Sequence, residues 1–154
     1  LAVRGELTRR HYELPESTPL GDPSVLLPLL YEPKPVEVGT RVYVPHLEWY
    51  NDPTPEWADE VVRPDLPIEE FVDKIASAKF VVSSAMHPYW VARLYNVPCV
   101  PLHLEVDNFY SKWIDFESAF TNKTLLEVQV GLIEAIEAEF GESTLHYLVA
   151  QRHP

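Results

Sequence analysis

The stretch from Lys79 to Leu102, KFVVSSAMHPYWVARLYNVPCVPL, constrains the fold more than any other part of the chain. It reads as a short apolar strand, an amphipathic helix and a second apolar strand. Residues 79–82 form the first strand, and Ser83 or Ser84 offers an N-cap. The helix runs to about Asn96, with Trp90, Val91, Leu94 and Tyr95 on its buried side. Pro88 suits the first helical turn, where a missing N–H is no loss. Residues 97–102 make the next buried strand. His87 therefore sits at the mouth of a helix, beside backbone N–H groups and the positive end of the dipole, which is a place for an anion.

The rest of the chain repeats this alternation. Residues 1–3 end a strand, Gly5 turns, and residues 6–13 make a short helix. The proline-rich segment LPESTPLGDPSVLLPLLYEPKP carries at most a short helix or turn around residues 24–30. Residues 41–44 are a β-branched and aromatic strand ending at Pro45-His46. A polar loop follows, and Val61 and Val62 form a further strand. Ile68, Phe71, Val72, Ile75 and Ala76 recur at helical spacing behind Pro67. Leu125, Val128, Leu132, Ile136 and Phe140 predict a last amphipathic helix closed by Gly141. Strands separated by helices imply an α/β fold: a Rossmann-like parallel sheet with helices on both faces. We expect one such domain over residues 1–141 and a C-terminal tail over 142–154. Ligands of such sheets bind off the carboxyl ends of the strands, where Arg4, His46, Ser83, Ser84, His87 and the loop after Leu102 are expected. The glycine fingerprint of a dinucleotide site is missing, so NAD is not indicated.

Lys and Arg total 12 against 24 Asp and Glu, a formal net charge of −12 in 154 residues. Such a surface repels nucleic acid and anionic membrane, and any anionic substrate needs a local cationic clamp. Cys99 is the lone cysteine, so no disulfide forms within the chain and a reducing compartment is expected. No apolar run has the length of a membrane span, and we expect no signal peptide. The opening LAVRG lacks Met and reads as the interior of a strand, so we expect the chain to be a piece of something longer, with its upstream half missing.

Six stretches in fixed order carry a family resemblance. VRGELTRR (3–10), LGDPSVLLP (20–28), VPH (44–46), VVSSAMH (81–87), VARLYNVPCV (91–100) and SKWIDFESAF (111–120) resemble the polysaccharide pyruvyltransferases. The Ala-Met-His form and the Lys-Trp-x-Asp block look most like the bacterial exopolysaccharide, succinoglycan-type branch. That resemblance implies the C-terminal Rossmann-like domain of a two-domain protein similar to B-type glycosyltransferases. The implied reaction is transfer of pyruvate from phosphoenolpyruvate onto two hydroxyls of a sugar or lipid-linked oligosaccharide, forming a cyclic ketal. It needs a proton at the enol carbon, tolerance of cationic character at the ketal carbon, and stabilisation of the departing phosphate. It needs no cofactor or metal, and the chain shows no tight His/Asp/Cys ligand cluster. The implied location is cytoplasmic, with the acceptor bringing the enzyme to the inner face of the membrane. The family usually has Gly after the histidine; here Pro88-Tyr89-Trp90 follows, which narrows the pocket or alters the acceptor.

Each candidate has a plainer alternative. His87 is the catalytic candidate, as proton donor or hydrogen-bond donor to phosphate, and otherwise a capping or packed histidine. Arg4 and Lys112 are the candidate cations for the donor's carboxylate and phosphate. Otherwise Arg4 pairs with Glu6 or another acid at the surface, and Lys112 is solvated. Ser83 and Ser84 cap the helix or touch phosphate, and His46 ends a strand on the ligand edge. Asp22 reads as a turn or cap residue, and Asp115 either orients Lys112 or caps a turn. Trp49, Trp57 and Trp90 stack on sugar or belong to the core. His11, His103, His146 and His153 have no spacing that singles them out.

Two further functional classes fit the same chain. One is a nucleotide-sugar glycosyltransferase domain, whose helix N-termini also face a diphosphate. The other is a non-catalytic isolated domain that binds a partner. Lacking the missing N-terminal domain, the chain is expected to be inactive alone.

Overall fold

The computed structural model describes residues 2–49, 51, 53–102, 109–120, 134 and 138. In chain order the elements are α1 (Glu6–His11), α2 (Leu27–Leu30), β1 (Arg41–Val44), β2 (Glu60–Val61), α3 (Ile68–Ser77), β3 (Phe80–Ser83), α4 (Met86–Leu94), β4 (Cys99–Pro101) and α5 (Phe109–Ser118). Turns of 3-10 helix cover Pro23–Leu26 and Leu47–Trp49. The predicted helix over 125–140, the tail over 142–154, and His103, His146 and His153 lie outside the described residues. The described residues 2–23 and 109–120 fall in one compact unit and 24–102 in a second.

The 24–102 unit is built on a four-stranded sheet in the order β2-β1-β3-β4, with every pairing parallel. Val42 lies opposite Val81, and Val81 opposite Cys99; Tyr43, Val82 and Val100 align one residue further on. Parallel strands are buried on both faces, so they read as unbroken apolar runs. Val42, Val44, Val81 and Val82 are each fully buried.

Strand order fixes where the helices go. The connection from β2 to β3 through α3 and that from β3 to β4 through α4 run the same way across the sheet. Right-handed crossovers then place both helices on one face. Phe71, Val72 and Ile75 of α3 and Val91 and Ala92 of α4 indeed share a core with Val42, Val44 and Val81. We expected helices on both faces; the two crossover helices share one. The connection that runs the other way, β1 to β2, holds turns, among them the 3-10 turn Leu47–Trp49, and no α-helix among its described residues.

Helix α3 starts at Pro67, carries Glu69 and Glu70 in its first turn and Lys74 in its last, and so complements its own dipole. Helix α4 ends in a Schellman motif. Asn96, at φ 59°, takes the left-handed position, and the N–H groups of Asn96 and Val97 donate to the carbonyls of Arg93 and Ala92. The segment between α2 and β1 is strapped to α3. The carboxylate of Asp73 accepts the Tyr31 hydroxyl and the Lys34 N–H, both at 2.8 Å. The Ser77 hydroxyl accepts the Val36 N–H.

The other unit packs α1 against α5. The expected strand at residues 1–3 is reduced to a single parallel bridge between Val3 and Leu20 among the described residues. Helix α1 also closes in a Schellman motif: Glu13 sits at φ 51°, and Glu13 and Leu14 donate to Arg10 and Arg9 carbonyls. Among the described residues, no helix is long and apolar enough to cross a membrane.

Candidate functional site

In the 24–102 unit, the order β2-β1-β3-β4 sends the chain leaving β1 toward one edge of the sheet and the chain leaving β3 toward the other. The two exits diverge, and it is beyond the carboxyl ends of strands at such a switch point that parallel sheets generally offer a ligand-binding crevice. The residues that follow those strands are Pro45-His46 and Ser84-Ala85-Met86-His87. Two candidates, His46 and Ser84, are therefore carried by the two loops of the switch point, His87 stands in the first turn of α4, and Ser83 is the last residue of β3.

Ser84 joins the two loops. Its hydroxyl oxygen accepts the His46 backbone N–H at 2.8 Å and lies 3.1 Å from the Tyr43 hydroxyl. Its own N–H donates to the Val44 carbonyl. Ser83 holds the turn into α4: its oxygen accepts the Ala85 N–H at 3.1 Å, and its hydroxyl lies 2.7 Å from the Ala85 carbonyl and 3.2 Å from that of Val44. Both serines are fully buried. Either serine was expected to cap the helix. The N-cap is Ala85, and no side chain caps it. The physical reason is that both hydroxyls are committed to the turn and to the strand ends.

His87 is the second residue of α4 and its side chain is exposed, while Pro88 to Ala92 behind it are buried. The helix is anchored by the apolar side chains after the histidine, which leaves His87 exposed in its first turn. His46 is half-buried. Its Nδ1 accepts the Glu48 N–H at 3.4 Å and lies 3.7 Å from the Glu48 carboxylate, and its ring is 5.3 Å from that of Trp49. Trp57 meets Tyr43 edge-on at 5.4 Å, and Trp90 is buried. Asp22 directly precedes the 3-10 turn Pro23–Leu26.

Arg4 and Lys112 belong to the other unit. Arg4 Nε donates to Asp115 Oδ2 at 3.1 Å, so its ion-pair partner is a buried acid and not Glu6. Glu6 pairs instead with Arg9 and Arg10. Asp115 Oδ2 also accepts the Thr8 hydroxyl, and Oδ1 accepts the Thr8 N–H at 3.0 Å. Thr8 is the third residue of α1, and Gly5 at the N-cap has no side chain to satisfy it. Asp115 therefore caps a helix more than 100 residues away in sequence. The Ser118 hydroxyl adds a second cap, accepting the Glu6 N–H at 2.9 Å. Lys112 is half-buried on α5, three residues before Asp115.

Two side-chain relationships escaped sequence reasoning, the bond of Tyr43 to Ser84 and the pairing of Arg4 with Asp115. Tyr43 looked like one aromatic among several in a strand, and nothing local marks its bond to Ser84. The Asp115–Arg4 pair spans 111 positions, and its one local trace is Gly5. A Cβ at Gly5 would stand 1.6 Å from the Asp115 carbonyl oxygen, so glycine is required by close approach. No group of three or more His, Cys, Asp and Glu side chains with metal-binding geometry occurs among the described residues. No family model, curated protein or solved structure matches the chain.

Proposed function

We propose that the chain belongs to an enzyme that transfers pyruvate from phosphoenolpyruvate to two hydroxyls of an exopolysaccharide sugar, forming a cyclic ketal. The observation that carries this reading is the placement of an exposed His87 in the first turn of α4, directly beyond the switch-point strand β3. There the α4 backbone N–H groups face a departing phosphate, and an imidazole stands at hand to donate a proton or a hydrogen bond. The six ordered stretches supply the substrate class, and with it the B-type architecture of which this Rossmann-like sheet is one part. The donor carries both a carboxylate and a phosphate, and we assign their neutralisation to Arg4 and Lys112 on chemical grounds. Ser83, Ser84 and His46 shape the crevice. The reaction as written requires no metal or redox cofactor. The acceptor, a sugar or lipid-linked oligosaccharide, would draw a cytoplasmic enzyme to the inner membrane face.

A helix N-terminus at a switch point also suits the diphosphate of a nucleotide sugar, which is the second reading. Titration calorimetry of the chain with phosphoenolpyruvate and with a UDP-sugar separates the two. Saturable binding of phosphoenolpyruvate without UDP-sugar binding is the expected result; the reverse would replace the first reading by the second.

A further inference from the structure

We infer that Asp115 is a positioning residue: it holds the Arg4 guanidinium in one plane so that the arginine presents its outer edge to a carboxylate or phosphate. This deepens, and rests on, the assignment of Arg4 to the anionic donor.

A guanidinium has two edges that can meet a pair of oxygens, one formed by Nε with one terminal nitrogen and one formed by the two terminal nitrogens. Asp115 Oδ2 takes the Nε side at 3.1 Å. The terminal edge remains, on a side chain that is 37% exposed. The acid that does the holding is itself immobile. Asp115 is 1% exposed, its two oxygens accept the Thr8 N–H and hydroxyl as well as Nε, and the Gly5 backbone lies against its carbonyl. An arginine tied only to a mobile surface acid would lose this orientation, because long side chains pay conformational entropy each time they are ordered. Here that cost is met on folding, before any anion arrives. Simple charge arithmetic says the opposite of orientation: a carboxylate beside an anion site should weaken it. The two accounts therefore differ in sign.

The experiment is calorimetric titration of the whole chain with inorganic phosphate and with phosphoenolpyruvate. The proteins are the wild type, Arg4→Ala, Asp115→Asn and the double variant, with thermal midpoints recorded alongside. Asparagine can still accept the Thr8 N–H, so the cap of α1 survives while the hold on Nε is lost. The expected result is that Asp115→Asn weakens phosphate binding about tenfold despite removing a negative charge, the size of one charged hydrogen bond. Added to Arg4→Ala it should make no further difference, the non-additivity of two residues acting through one contact. Equal or tighter binding by Asp115→Asn, an effect that persists without Arg4, or no phosphate binding by the wild type would overturn the inference. If Asp115→Asn does not fold, Arg4→Lys decides: it keeps the charge without the planar edge, so loss of affinity supports orientation and wild-type affinity refutes it. Phosphate binding that follows this pattern without phosphoenolpyruvate binding would retain the inference and reject the proposed donor. Phosphoenolpyruvate binding indifferent to all of these variants would do the reverse.

Discussion

The hydroxyl of Ser84 accepts the backbone N–H of His46 at 2.8 Å, so a side chain at the end of β3 fixes the loop that leaves β1. Behind it, the two strand ends are also joined by the ladder and by the Ser83 hydroxyl, 3.2 Å from the Val44 carbonyl. The Ser84 oxygen lies 3.1 Å from the Tyr43 hydroxyl, which makes a fully buried serine the hub between two polar groups.

Ser84→Ala should therefore cost more than its size suggests. It removes at once the acceptor of the His46 N–H and the bond to the Tyr43 hydroxyl, for a loss of about 1–3 kcal/mol. Tyr43→Phe removes only one of the hub's partners and should cost about 0.5–1.5 kcal/mol. Urea unfolding of both variants checks this ordering. A smaller loss from Ser84→Ala than from Tyr43→Phe would mean the serine is not the hub.

Gly5→Ala tests the close approach of α1 to Asp115. The backbone at Gly5 is extended, so any penalty is steric, from a Cβ placed 1.6 Å from the Asp115 carbonyl oxygen. We expect a destabilisation of about 1–3 kcal/mol or somewhat more, as for other overpacked sites. At Gly39 the corresponding contact, with the Glu60 Cβ, is 2.8 Å, and Gly39→Ala should be milder. Thermal midpoints of the two variants in the opposite order would contradict the packing described.

Much of the sheet unit is legible in sequence because its signals are local. β1 spans the predicted 41–44, β3 starts one residue later than expected, and α3 begins behind Pro67 with Phe71, Val72 and Ile75 buried. Apolar runs flanked by proline and glycine state their own boundaries. Side-chain partners are a different matter. That the hydroxyls of Ser83 and Ser84 serve the strand ends instead of the helix depends on β1 lying alongside β3. That Asp115 caps α1 depends on contacts spanning 107 positions, and neither leaves a periodic trace. The shared face of α3 and α4 follows from strand order, which no single segment encodes.

Alkaline stability should report on the strap over α3. Burial, and then the hydrogen bond to Asp73, push the Tyr31 phenol up to about 12. The unfolded chain ionises first, near pH 10, so between about pH 10 and 12 it holds fewer protons than the folded chain. Stability contributed by this group is therefore complete below pH 10 and lost as pH rises toward 12. Tyr31→Phe removes this contribution, so its stability should decline less over that window. Unfolding midpoints of wild type and variant that fall in parallel from pH 9.5 to 11.5 would dissociate the strap from alkaline loss.

If the phosphate of phosphoenolpyruvate binds beyond the carboxyl ends of β1 and β3 at His87, the imidazole must sense the donor directly. The most direct measurement is an NMR titration that follows the His87 imidazole resonances, assigned through His87→Ala, as the donor is added. We predict a saturable shift at His87 with the midpoint found by calorimetry, and binding weakened roughly tenfold in the variant if one charged hydrogen bond is lost. Saturable donor binding that leaves the His87 resonances unmoved and is unchanged in His87→Ala would contradict the claim.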